Sequence, residues 1–199
     1  MSTRRTQAER KAATIGRLVQ ATAEALAELG YARTTVSEIC SRATVSSGAL
    51  FRHFPSRLAL IAQTTKALGE GQLAFVERLA DAPPDTADPV ETWVRFGREA
   101  SRSDTHAAWR EVMVAARTDA ALRAEVSPVL QNYETALHDM ALRLLAPNAA
   151  DPHRAQMVAL SALHLFDSEA TTRAVYCNPE IEETRLVWVC EMLRRELAG

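Results

Sequence analysis

Residues 34–60, TTVSEICSRATVSSGALFRHFPSRLAL, bring together groups suited to holding an anion. Ser46, Ser47, Gly48 and Ala49 are small, so a helix opening on them can bring backbone N–H groups close to a phosphate. Arg52, His53 and Arg57 lie around the far end of the same stretch, with reach to a phosphodiester backbone. The chemistry indicated is binding of a polyanion rather than bond making. Elsewhere there is no Ser-His-Asp order, HExxH, glycine-rich phosphate loop or paired carboxylate. His138 and Asp139 are chain neighbours on a predicted helix and so point apart. The five histidines have no metal-ligand spacing. Neither an enzyme nor a bound cofactor or metal is expected.

These residues need elements to position them. Thr35-x-x-Glu38 reads as a capping box opening a short helix to about residue 42, and a second short helix runs from about 46 to 53 after only three residues. Pro55 stops it and Ser56 caps the next helix, from about 57 to 79. Ahead of them, Ile15, Leu18, Val19, Thr22, Ala25, Leu26 and Leu29 form one helical stripe between a Thr6-x-x-Glu9 box and Gly30. Val36, Ile39, Ala43, Val45, Leu50 and Phe54 can face that stripe. Two short helices joined this tightly fit a helix-turn-helix, whose second helix enters the major groove. Spacing alone leaves equally open a small-residue turn in an ordinary helical bundle.

The charge distribution bears on this choice. Over all 199 residues the formal charge is −2, which speaks against a nucleic-acid partner. Residues 1–60, however, hold nine Lys or Arg and four Asp or Glu, whereas residues 61–199 hold 14 and 21. A basic unit of +5 therefore precedes an acidic one of −7, and the asymmetry points to an anionic partner for the first. A composition of 47% apolar and 24% charged residues excludes a disordered chain. The longest stretch without Asp, Glu, Lys or Arg is residues 155–166, short of the ~20 a membrane helix needs. With Arg4, Arg5, Arg10 and Lys11 leading into a mixed helix, no signal peptide is expected, and Cys40, Cys177 and Cys190 read as reduced thiols in a cytoplasmic protein.

Beyond the Pro- and Asp-rich stretch DAPPDTADP at residues 81–89, helical patterns continue at about 90–102, 105–118, 119–146, 153–176 and 180–197. Pro128 is expected to break or kink the third of these, and Pro179 stands at a favoured first-turn position. About nine helices and no sheet make an all-α fold.

Residues 34–60, with the preceding Leu29–Gly30–Tyr31, resemble the DNA-binding signature of the tetracycline-repressor (TetR/AcrR) family of transcriptional regulators. That pattern is a Thr-opened helix, an Ile-Ala-x-x-Ala-Gly-Val-Ser turn, then Gly-Thr-Leu-Tyr-x-His-Phe and a following Lys. WREVMVAARTDAALRAEVSPVL, from Trp109, is also in the style of that family's C-terminal regions. The resemblance implies an N-terminal three-helix helix-turn-helix domain over residues 1–56 and a helical ligand-binding and dimerisation domain over 57–199. It implies a homodimer on a palindromic double-stranded DNA operator, released by a small apolar effector, with no membrane partner. By position, Thr35 and Ser37 would meet phosphates and Ser47, Gly48 and Ala49 would face base edges. Phe51, Arg52, His53 and Arg57 would flank the groove, and Arg4 and Arg5 would form a minor-groove arm, plain disorder being the alternative. Arg52 is the candidate for a bidentate guanine contact, with a phosphate contact as the alternative.

Several residues depart from the pattern. Thr44 replaces the usual turn glycine, and a β-branched residue dislikes positive φ. Phe51 replaces Tyr and loses a hydroxyl; Ser47 and Ala49 replace the common Lys and Thr. In the C-terminal region the resemblance implies an effector pocket, for which Trp93, Phe96, Trp109, Met113, Tyr133, Met140, His164 and Phe166 are the candidates, ordinary core being the alternative for each. It also implies a dimer seam on the last two helices, with Val158, Leu165, Ile181, Trp188, Val189 and Met192 at helical spacing; packing within one chain is the alternative.

Overall fold

The structure is a computed structural model describing residues 6–81, 88–145, 147 and 149–198, with side chains of 79–81 left aside. The fold is all-α. Among the described residues nine helices follow in order: α1 (Gln7–Leu29), α2 (Val36–Ala43), α3 (Ser47–Phe51), α4 (Arg57–Asp81), α5 (Pro89–Ser101), α6 (Asp104–Ala116), α7 (Ala120–Leu145), α8 (Pro152–Arg173) and α9 (Pro179–Leu197). Arg4, Arg5 and most of the 81–89 stretch lie outside the described residues.

Local chemistry sets most of the helix ends. At α1 the capping box is complete: the Glu9 N–H donates to Thr6 Oγ1 at 3.2 Å and the Thr6 N–H to Glu9 Oε2 at 2.7 Å. At α2 only half forms. Thr35 Oγ1 accepts the Glu38 N–H, but the Glu38 carboxylate turns to Arg42 instead, 2.7 Å away and one helical turn on. Ser46 and Ser56 cap α3 and α4 through the N–H groups of Ala49 and Ala59. Asp88, Asp151 and Asn178 cap α5, α8 and α9, each followed by a proline, whose missing N–H costs nothing in a first turn.

Pro128 does not break α7, one of the two outcomes the sequence left open. The helix runs on through it, and both Pro128 and Ala124, whose carbonyl loses its usual donor, are exposed and can be solvated. The second helix of the turn motif is shorter than its pattern and stops at Phe51, leaving Arg52 and His53 in a turn.

The chain forms two compact units. The first comprises residues 1–71 and 104–131, the second residues 72–103 and 132–199. In the first, Leu18, Ala21, Ile39, Cys40, Ala43, Leu50, Phe54 and Leu60 share one core, with Ile15, Val19, Val36 and Val45 packed against it. This is the inward set expected from the spacing. α6 also lies against α1, where the Glu111 carboxylate accepts the Tyr31 N–H at 3.2 Å. A side chain on Gly30 (φ 79°) would meet Glu111 Oε2 at 2.9 Å, so glycine here answers both backbone and space.

In the second unit, α5, α8 and α9 enclose Val94, Ala162, Phe166, Leu186, Val189, Cys190 and Leu193. Beside that core Arg95 and Arg98 of α5, with Arg102 at its C-cap, face acidic residues of α8 and α9. Arg102 Nη2 donates to Glu169 and to Glu182 at 2.9 Å each, and both carboxylates are buried. Buried charges persist only when paired in this way.

Candidate nucleic-acid interface

The interface is built on the connection between α2 and α3. After Ala43 the chain turns through Thr44, whose φ of 54° and ψ of 49° are left-handed. Among the described residues Thr44 is the one non-glycine with positive φ. The turn keeps its bonds nonetheless: the Val45 N–H donates to the Cys40 carbonyl at 3.0 Å and the Thr44 N–H to that of Ser41 at 3.3 Å. The doubt raised by the missing glycine is thus resolved as strain within a retained turn shape, on the order of 1–2 kcal/mol for a left-handed non-glycine.

α3 buries Leu50 completely and turns Ser47, Gly48 and Phe51 outward, Phe51 with 50% of its surface exposed. Ala49 is half-buried. Arg52, at the C-cap, is exposed and makes no ion pair among the described residues. Thr35 and Ser37 are exposed on the first turn of α2. His53 is half-buried, and its Nδ1 is buried without a hydrogen-bond partner among the described residues.

Arg57 has an internal role that sequence reasoning missed. Its Nε donates to the Thr34 carbonyl at 2.5 Å and its Nη2 to that of Tyr31, with the guanidinium over the Tyr31 ring. Arg42 is also engaged internally, with Glu28 at 2.8 Å and Glu38 at 2.7 Å. The Tyr31 hydroxyl lies 3.1 Å from Asp119 Oδ2, and burial raises that phenol against the opposing pull of Arg57. Asp119 is held low by the Leu122 backbone N–H it accepts at the start of α7.

A two-helix reading head of this shape is matched by known proteins. The family described as bacterial regulatory proteins, tetR family, matches residues 18–64. The uncharacterized HTH-type transcriptional regulator Rv2912c of Mycobacterium tuberculosis is 35% identical over 190 residues, which cover 95% of this chain and 97% of the relative. The chain belongs to the tetR family. It is therefore a DNA-binding transcriptional regulator, not an enzyme. The HTH-type transcriptional regulator CymR of Pseudomonas putida is 33% identical over 144 residues, 71% of this chain and 70% of that one. The fold is shared with a Rhodococcus transcriptional regulator of known structure (TM-score 0.70, 22% identity, 91% and 96% of the two chains). Salmonella enterica GusR shares it too (TM-score 0.66, 20% identity, 94% and 96%).

In this tetR-family chain the residues expected to line an effector pocket do not all fall in one unit. Trp109 and Met113 lie on α6 of the first unit; Trp93, Phe96, Tyr133, Met140, His164 and Phe166 belong to the second. Phe166 is 1% exposed and fills the α5–α8–α9 core, while His164 is exposed, with Nδ1 2.9 Å from the Leu160 carbonyl. Tyr133 is the informative one. Its hydroxyl donates to Gln72 Oε1 at 2.9 Å, and burial, helped by the Glu134 and Asp167 carboxylates, pushes the phenol up to about 12. Gln72 Nε2 is buried without a partner among the described residues. Nothing in the sequence marked Gln72, because its partner is 61 residues away.

Of the expected seam residues, Ile181 and Trp188 are exposed at 47% and 53%, forming with Thr184 and Arg185 an open groove on α9. Val158, Leu165 and Met192 are half-buried, and Val189 faces its own core. Among the described residues no helix is long and apolar enough to cross a membrane, and no cluster of His, Cys, Asp and Glu could hold a metal ion.

Proposed function

We propose that this regulator is a cytoplasmic repressor that binds a palindromic operator as a homodimer and leaves it when a small, mainly apolar effector binds. The observation carrying the reading is the outer face of α3, where Ser47, Gly48, Phe51 and Arg52 stand exposed over a helix whose inner side is fully packed. In the division proposed, residues 1–56 read DNA and residues 57–199 hold the effector and the partner subunit. Thr35 and Ser37 would anchor phosphates, Ser47, Gly48 and Ala49 would approach base edges, and Arg52 and His53 would lie at the groove. The seam would use Ile181 and Trp188, two of the three large apolar side chains that α9 leaves exposed, Val187 being the other. A two-fold dimer would set its two copies of α3 on successive major grooves.

Tyr133 and Gln72 are the polar groups offered for the effector site, with Trp93, Phe96 and Met140 as apolar lining in the same unit. Release requires that the effector bind the DNA-free conformation more tightly than the DNA-bound one. α4 and α7 each begin in residues of the first unit and end in residues of the second, which makes them the covalent route for such coupling.

The test is a salt titration of the full-length protein on a duplex selected from a randomised library, read by fluorescence anisotropy. Six to ten phosphate contacts imply a loss of roughly 10³–10⁵ in affinity between 50 and 200 mM salt. A flat dependence would sink the electrostatic head.

A further inference from the structure

The exposed ring of Phe51 is unusual for what it lacks. It is the last residue of α3, one turn after Ser47 and Gly48, and carries neither donor nor acceptor. It therefore cannot hydrogen-bond a phosphate or the polar edge of a base. In the major groove one base presents an apolar group, the C5-methyl of thymine. Core packing does not account for the ring either, since Leu50 and Phe54 fill the core on the other side of the same turn.

Gly48 adds an independent observation. A Cβ built there would meet only Ser46 Oγ, at 4.0 Å, so the space would accept a side chain. Its φ is not positive, the positive-φ residues being Thr44 and Gly30. Glycine lowers helix stability relative to alanine and has no return here within the chain. Its effect is outward: the missing side chain lets the helix surface come close to a base pair, with the Phe51 ring beside the point of approach.

We propose that Phe51 is a specificity-determining residue that reads a thymine through its C5-methyl group, with Gly48 providing the close approach. This rests on the DNA-binding reading of α3. It moves Phe51 from the groove wall, where positional carry-over put it, to the groove floor. Each half of the operator then holds one thymine whose methyl group matters, at the position facing Phe51. Arg52 supplies the neighbouring polar contact.

The experiment uses the full-length protein and duplexes enriched from a randomised library. In the enriched duplex each thymine is replaced in turn by deoxyuridine, which removes the methyl group and keeps every hydrogen bond. At one position per half-site this should weaken binding about fourfold, the value of one buried methyl-sized group, and roughly fifteenfold when both half-sites are changed. Phe51→Ala should bind more weakly and no longer distinguish thymine from uracil there, whereas Phe51→Leu should keep part of the difference. A duplex indifferent to deoxyuridine at every position overturns the proposal without any variant. Undiminished discrimination by Phe51→Ala, with circular dichroism unchanged, overturns it as well. If no sequence is enriched and no duplex binds at low salt, the DNA-binding reading falls and takes this one with it.

Discussion

The Arg57 guanidinium lies 4.4 Å from the centre of the Tyr31 ring and donates to the carbonyls of Thr34 and Tyr31. The first residue of α4 is thereby fastened to the connection between α1 and α2. Through Tyr31 the same connection reaches Glu111 and Asp119. The frame that orients α2, and α3 after it, is thus held by backbone acceptors and one planar cation.

A planar fork that is both bonded and stacked is poorly replaced by an ammonium group. Arg57→Lys should therefore lower unfolding free energy by about 1–3 kcal/mol, the cost of leaving buried acceptors unpaired, measured by urea denaturation. Arg57→Gln should leave the salt slope of DNA binding unchanged. A slope smaller by about one unit would instead assign the Arg57 charge to a phosphate.

Thr44 offers the opposite case, a local rule broken without visible return. Relief of left-handed strain on the order of 1–2 kcal/mol, less about 0.4–1 kcal/mol for the freer unfolded chain, predicts that Thr44→Gly is net stabilising, by about 0.8 kcal/mol at mid-range and at most about 1.6 kcal/mol. Chemical denaturation at neutral pH checks this, and an unchanged or lower midpoint would mean that the Thr44 side chain makes a compensating contact.

The pH dependence of stability has a legible source in Tyr133. Its folded-state pKa of about 12 stands above the ordinary phenol value of 10.0. Below pH 10 the phenol is neutral in both states and contributes no pH dependence. As pH rises from 10 towards 12 the unfolded state loses the proton first, so stability falls. Two units correspond to a loss of roughly 2–3 kcal/mol by the end of that window. Tyr133→Phe should flatten this part of the stability curve, and a variant as steep as the parent would assign the loss to other groups.

The parts of this structure readable in advance share one property: their partners are near in sequence or are water. The Thr6–Glu9 box, Gly30 after α1, Pro179 at the start of α9 and the inward set from Val36 to Phe54 all follow from local spacing. The unreadable parts depend on distant groups or on unlabelled backbone. Arg57 looked like a surface cation because carbonyl acceptors have no sequence signature. The burial of Glu169 and Glu182 rests on Arg102, which the end of α5 brings between them from 67 and 80 residues away. That α7 is not broken at Pro128 was unreadable because a local rule ignores whether the orphaned carbonyl can meet water. Trp109 and Phe166, both pocket candidates, are buried, Phe166 as part of a core cluster, and residue type alone does not distinguish lining from core.

A dimer seam on α9 makes a prediction that separates surface from core on the same helix. Trp188 is 53% exposed and Val189, its chain neighbour, 2% exposed, the two being about 100° apart around α9. Trp188→Glu places a charge on the uncovered face without opening the core, and a desolvated unpaired carboxylate at an interface is strongly unfavourable. The variant should be monomeric by light scattering, retain its helical circular dichroism, and bind a palindromic duplex far more weakly than the parent. Val189→Ala should do the reverse, keeping the dimer while lowering unfolding free energy by about 1–3 kcal/mol through a core cavity. If Trp188→Glu remained dimeric with undiminished affinity, the partner subunit would have to dock elsewhere than on the Ile181–Trp188 face.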